Sequence, residues 1–214
     1  PMTGMPVLRQ AIAAKIESTY GYRYDPNTEI TVTVGASQAI HTAILAVVHP
    51  GDEVIVIEPA YDCYAPAIAL AGGVVVPVAM RFDDAGFSVP WEQVAGAVTP
   101  RTRMIVVNTP HNPTGTILRQ ADLDALAAIV EGTSILVLSD EVYEHMVYDG
   151  EPHASVSRHP VLAERAFVVS SFGKAFHVTG WKIGHVAAPA ALMVEFRKVH
   201  QYNVFCVTAP MQHA

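Results

Sequence analysis

Seven short runs rich in Val and Ile, spaced along the chain and mostly separated by helical patterns, limit the folds open to it. The runs cover 30–34, 53–57, 74–78, 104–107, 135–138, 167–169 and 183–187. Helical spacing fills 38–48, 60–71, 91–98 and 121–130, and a further amphipathic stretch at 7–20 places Leu8, Ile12 and Ile16 on one face. Strand alternating with helix implies parallel pairing through right-handed crossovers. The last two runs are joined without a clear helix, which allows one antiparallel strand there. Most runs are too continuously apolar for strands with one wet face, so the sheet should be covered on both. Charged residues make up only 15% and apolar ones 51%, a balance that suits such a sheet or a surface covered by other protein. The turn clusters Asp83-Asp84-Ala85-Gly86 and Asp149-Gly150-Glu151-Pro152 are too short to be linkers. The expectation is one doubly wound α/β domain over 1–214.

The net charge of −7 with scattered basic residues argues against a nucleic-acid face. No apolar stretch approaches the roughly 20 residues that cross a bilayer, and the opening residues show no signal peptide. Ten histidines form no HxxxH or HxH pair, so no metal is expected. Cys63 and Cys206 lack ligand spacing; both are expected to be small buried apolar groups in a reducing cytoplasm.

The chemistry gathers where the runs end. After the run at 167–169 comes Ser170-Ser171-Phe172-Gly173-Lys174, then Thr179-Gly180-Trp181-Lys182. Lys174 therefore leaves the sheet at its carboxyl edge, where α/β sheets bind small ligands. A lysine there can form an imine with an aldehyde cofactor if its amine can lose its proton, and flanking serines can hold a phosphate; the combination points to pyridoxal phosphate (PLP). Of the other three lysines, Lys15 and Lys198 are expected to be solvated. Lys182 can neutralise a phosphate as a point charge, although alone it reads as a surface lysine.

Gly35-Ala36-Ser37 opens the first crossover helix, where free amides point at an anion; a simple cap explains the same residues equally well. Tyr61 follows the second run and can lay its ring on a planar cofactor or pack in the core. The loop Asn108-Thr109-Pro110-His111-Asn112-Pro113-Thr114-Gly115 is more specific, with Asn112 able to donate to a phenolate oxygen. Asp140 ends the fifth run, where a buried carboxylate is costly unless paired. A pyridinium nitrogen is a suitable partner, and a helix cap is the alternative. Tyr143 lies one turn further on, within reach of the same cofactor oxygen.

Taken together, these motifs resemble the class I/II aminotransferases of PLP fold type I, over the whole chain. Tyr61-Asp62-Cys63-Tyr64-Ala65-Pro66, Asn108–Gly115, Ser139–Tyr143, Ser170–Lys174 and Thr179–Gly184 look most like bacterial methionine aminotransferases and kynurenine/glutamine aminotransferases. The resemblance implies a three-layer α/β/α large domain with a mostly parallel seven-stranded sheet. It implies Lys174 as imine lysine and proton shuttle, Asp140 on the ring nitrogen, and Asn112 and Tyr143 on the ring oxygen. Tyr61 would stack on the ring. Ala36, Ser37, Ser171 and Lys182 would hold the phosphate, with Gly35 giving the turn and Asn108 lining the substrate side.

Family members also have an N-terminal arm and a C-terminal small domain, which are not matched in 1–214, and the substrate-carboxylate arginine belongs to that small domain. The resemblance further implies a homodimer acting on amino acid and 2-oxo acid substrates. A methionine-like or aromatic donor is expected rather than aspartate, because no spare arginine stands beside the site; Arg81, Arg101 and Arg103 are expected at the amino ends of the strands. The same motifs would serve a cysteine-conjugate C–S β-lyase, an inactive PLP-binding fragment, or the effector domain of a regulator.

Overall fold

The computed structural model describes residues 1–214. Chain order begins with α1 (Pro6–Tyr20), β1 (Ile30–Thr33), α2 (Gly35–Val47), β2 (Glu53–Glu58), α3 (Tyr64–Leu70) and β3 (Val74–Ala79). A small hairpin follows, β4 (Arg81–Asp83) and β5 (Gly86–Ser88), then α4 (Trp91–Gly96), β6 (Thr102–Asn108), α5 (Gln120–Val130) and β7 (Leu136–Asp140). The last third holds α6 (Pro160–Ala163), β8 (Ala166–Ser171), α7 (Phe172–Ala175), β9 (Gly184–Ala187), α8 (Ala190–Asn203) and α9 (Ala209–His213).

All seven apolar runs become strands of one sheet, in the order β1-β9-β8-β7-β6-β2-β3. Pairing is parallel from β8 to β3, and β9 runs antiparallel to both of its neighbours. The sequence had left room for one such strand, and the reason is local. Only a four-residue helix and a short 3-10 turn (Thr179–Trp181) separate β8 from β9, too little for a parallel crossover.

Alternate residues of each central strand serve opposite faces, which is why these strands read as continuous apolar runs. Val54, Val56, Met104, Val106, Leu138, Phe167 and Val169 face α2, α3 and α8. Ile55, Ile57, Ile105, Val107, Val137, Ala166 and Val168 face α4, α5 and α6. The result is a three-layer α/β/α sandwich. At the β1 edge, α1 buries Ile12, Ala13 and Ile16 against Ile30, Val32, Ile183 and Ala187. Pro6 opens α1, and Gly21 closes it in the left-handed region at φ 77°, its N–H bonding the Glu17 carbonyl.

The hairpin β4–β5 and the helices α6 to α9 escape the sequence reading. The hairpin β4–β5 forms around the turn cluster at 83–86, with strands too short and exposed to show alternation. Helix α8 buries Met193, Phe196 and His200 while Arg197 reaches back to the carbonyls of Asn27 and Ile30. Three smaller expectations are corrected. Lys15 is ion-paired to buried Glu144 rather than free in water. Cys63 is half-buried and Cys206 exposed, because Cys206 lies in the loop after α8 rather than in a core. Arg81 sits just past the carboxyl end of β3, where Glu92 binds it at the surface.

Candidate active site

The carboxyl ends of β1, β2, β6, β7 and β8 share one edge of the sheet, and β9, running the other way, brings its preceding turn to the same place. Strand register aligns the pieces: Asn108 stands opposite Asp140, and Ser171 and Thr33 flank Gly184. Between these ends lies a cavity of about 170 Å³ lined by Gly35, Ala36, Ser37, Tyr61, Asn112 and Asp140 on one side. Val142, Tyr143, Ser171, Lys174, Thr179 and Lys182 complete it. Every residue that the resemblance implies for the site lines this cavity except Asn108, and of the two serines before Lys174 only Ser171 does, because Ser170 donates to buried Glu144 instead. Burial turns Asn108 inward: its amide donates to the Asp140 carbonyl (2.8 Å), and its oxygen accepts from the Asn112 N–H (2.6 Å). It shapes the loop that presents Asn112 and is not part of the cavity wall.

One end of the cavity is built for an anion. Helix α2 starts there with no side-chain cap, so the amides of its first turn face the opening with the positive end of the helix dipole. Gly35 holds φ at 74°, and a Cβ on it would lie 3.4 Å from the Lys182 amine. Gly184 lets this helix start sit directly on the sheet; a Cβ there would stand 2.7 Å from the Ser170 carbonyl and 2.9 Å from the Gly35 carbonyl carbon. Lys182 itself adopts the left-handed region at φ 55°, which costs a non-glycine residue on the order of 1 kcal/mol or more. The turn thereby aims a second cation at the helix start. Ser171 caps α7 by accepting from the Gly173 N–H at 3.0 Å, which holds its hydroxyl at the cavity wall.

Asp140 is on the cavity wall and is only 3% exposed. Its Oδ2 accepts from the Tyr64 hydroxyl at 2.7 Å and its Oδ1 from the Val142 N–H at 3.3 Å. Burial pushes its pKa up to about 6, and these two donors only partly offset that. A second full charge or strong donor on Asp140 is therefore what the cavity lacks, and a protonated ring nitrogen would supply it. The same desolvation, with the charge of Asp140 nearby, raises the Cys63 thiol to about 12, which makes it unreactive.

Lys174 lines the same cavity. Its amine is 5.8 Å from the centre of the Tyr143 ring, on the lining of the cavity. Burial also raises the Tyr143 phenol, keeping it a neutral donor. Tyr61 stands at the mouth, its hydroxyl 3.4 Å from that of Ser37, with its ring edge-on to Tyr64. Tyr64 and Thr179 were missed from sequence. Tyr64 comes three residues after Tyr61 at the start of α3, a spacing that turns it inward toward β7.

An anion cradle, a buried carboxylate and a lysine line one cavity. The model of the family "aminotransferase class I and II" matches residues 1–214. The chain belongs to that family. Family members depend on PLP. A cavity with an uncapped helix start beside Lys182, a buried Asp140 raised by desolvation, and Lys174 on its wall suits that cofactor. Methionine aminotransferase of Escherichia coli is 52% identical over all 214 residues, which make up 55% of that protein. Its crystal structure superposes with a TM-score of 0.96 over 99% of this chain and 56% of the other. Kynurenine–oxoglutarate transaminase 1 of mouse is 41% identical over 94% of this chain and 50% of its own length. An aromatic aminotransferase of Pyrococcus horikoshii gives a TM-score of 0.95 at 39% identity, covering 100% and 57%. The chain thus spans about half the length of the relatives it matches.

Proposed function

We propose that this chain is the cofactor-binding large domain of an aminotransferase that moves the amino group of a methionine-like or aromatic L-amino acid to a 2-oxo acid. The observation that carries this reading is Asp140, a buried carboxylate whose two donors do not offset its desolvation, in the wall of the same cavity as an anion cradle and Lys174. When bound, PLP supplies an aldehyde for amines and a ring that accepts electrons from the substrate Cα.

The residues divide the work. Ala36, Ser37, Ser171 and Lys182 hold the phosphate end, and Tyr61 covers the ring face. Asp140 keeps a proton on the ring nitrogen, which makes a negative charge at Cα accessible. Asn112 and Tyr143, both on the cavity wall, would donate to the ring oxygen. Lys174 would hold and move the Cα proton at its amine, as general base and then acid.

The lining contains no arginine, so the clamp for the substrate's carboxylate is assigned to the remainder of a longer protein. A homodimer is proposed with it. Large apolar side chains such as Phe176, Phe205 and Tyr202 stand 61–87% exposed and call for cover. The cytoplasm is the proposed compartment, in keeping with two unpaired cysteines.

The choice of methionine is supported by the 52% identical relative. The test is a donor panel on the PLP-loaded full-length protein with a common 2-oxo acid acceptor. A higher kcat/KM for methionine or phenylalanine than for aspartate is expected, with the matching 2-oxo acid as product. Preference for aspartate would overturn the donor assignment, and release of pyruvate and a thiol from a cysteine conjugate as the main activity would favour the lyase.

A further inference from the structure

A second polar cluster lies behind the wall of the active site, on the side facing α1. Glu144 is its centre and is 7% exposed. One carboxylate oxygen accepts from the Ser170 hydroxyl at 2.7 Å. The other accepts from the Lys15 amine and the Tyr20 hydroxyl, both on α1. His185 of β9 lies opposite Ser170 in the strand register, buried, with an Nδ1 that finds no partner. A cavity of about 160 Å³ separates these groups from Leu8 and Ile12 of α1, and its wall includes Ser171, which also lines the active site.

The two residues joined by the buried bond are chain neighbours of active-site residues. Glu144 follows Tyr143, in the segment that begins with Asp140. Ser170 precedes Ser171, in the segment that carries Lys174. β7 and β8 pair only as far as Asp140 and Val169, so beyond that point the ladder no longer fixes these segments against each other. Apart from the Glu141 N–H to the Val169 carbonyl (2.8 Å), the Glu144–Ser170 bond is the fastening beyond the ladder.

Stability alone is a poor account of such a cluster. Taking a carboxylate and an ammonium out of water costs several kcal/mol per ion, and an apolar pair of the same volume is often no less stable. Here burial tends to raise the Glu144 carboxyl, but the charge and hydrogen bond of Lys15, with the hydrogen bonds of Tyr20 and Ser170, outweigh it and hold the pKa at about 2. The group is an anion at neutral pH.

We propose that Glu144 is a positioning residue: it staples the Asp140–Tyr143 segment to the Ser171–Lys174 segment from outside the cavity and anchors both to α1 through Lys15 and Tyr20. The proposal rests on the PLP reading of the adjoining cavity. Substitution Glu144→Gln keeps the shape and one acceptor oxygen but removes the charge that pairs with the Lys15 ammonium, which weakens the hold on α1 while the volume is filled. Substitution Ser170→Ala removes only the staple and leaves the Glu144–Lys15 pair intact.

The measurements are PLP affinity by absorbance titration, the circular dichroism of bound PLP, and amide hydrogen exchange of the PLP-free protein. Glu144→Gln is expected to weaken PLP about tenfold and Ser170→Ala about threefold, with altered visible dichroism in both. Exchange is expected to speed at 141–146 and 171–176 while β2 and α5 keep parental rates. A Glu144 that serves only stability would lower the melting temperature and leave dichroism and PLP affinity within twofold of the parent; that result overturns the proposal. Should Glu144→Gln fail to fold, Ser170→Ala decides by the same readouts. A parent protein that binds no PLP refutes the proposed function, and the exchange rates then decide the staple by themselves.

Discussion

Replacing Asp140 with asparagine should make the PLP-free protein more stable at neutral pH, although it removes the group on which the chemistry depends. In the folded chain the Asp140 carboxyl sits at about 6, against 3.8 for an ordinary aspartate, because burial disfavours its charge. The folded state therefore binds this proton more tightly than the unfolded state does. Stability due to this group is fully present below pH 3.8 and is lost as pH rises through 6. A shift of about 2 units at 1.36 kcal/mol per unit gives ~3 kcal/mol. An asparagine side chain keeps an oxygen for the Tyr64 hydroxyl and carries no charge to desolvate, so Asp140→Asn should recover most of that energy.

The assay is denaturant or thermal unfolding of both PLP-free proteins from about pH 4 to about pH 8, a range that brackets the titration. No difference is expected at the acid end, and a gain of ~3 kcal/mol at the alkaline end, or roughly 6–12 °C in midpoint for a chain of this size. Adding PLP should reverse the order. The parent gains a partner for its carboxylate and is stabilised by mass action, whereas the variant gains only the phosphate contacts. A variant less stable than the parent at the alkaline end, or a difference that does not change with pH, would refute the idea that the cavity holds an under-partnered carboxylate.

Three other substitutions probe the surroundings of the site. Tyr64→Phe removes the closer donor to Asp140, so the carboxyl should rise further above 6 and the pH-dependent loss of stability should extend to higher pH, read from the same unfolding series. Lys182→Ala should weaken PLP about tenfold in an absorbance titration, the scale of a lost charge-assisted bond, and should reduce the dependence of binding on salt. Gly184→Ala places a methyl 2.7 Å from the Ser170 carbonyl and 2.9 Å from Gly35; a loss of about 1–3 kcal/mol is expected in unfolding, with weaker PLP binding because the start of α2 must lift.

The sheet was legible because most of its strands are buried on both faces, edge strand β3 excepted: a run such as 104–107 has no polar position, and runs of this kind alternate with helices. The antiparallel direction of β9 was legible only as an option, through the missing helix before it. Helix α8 carries its signal in Met193, Phe196 and His200, but a histidine on the buried side and Arg197-Lys198 beside it broke the apolar pattern. The hairpin β4–β5 had no signal beyond its turn.

At the site, residues whose side chains face the cavity were found because their types match the chemistry. Asn108 was given to the substrate side because residue type says nothing about which way a buried amide points; the Asp140 carbonyl and the Asn112 N–H consume it. Tyr64 and Glu144 act through Asp140 and Ser170, contacts between segments 76 and 26 residues apart that one sequence does not reveal. Lys15 was set aside as solvated for the same reason: its partner is 129 residues away.

The most direct test of the central claim is where PLP attaches. The folded protein is loaded with PLP, reduced with borohydride, digested and mapped by mass spectrometry. The label should fall on Lys174 alone among Lys15, Lys174, Lys182 and Lys198, and Lys174→Ala should abolish it while leaving the fold intact. A label on Lys182, or no label on folded protein given excess PLP, would contradict the account.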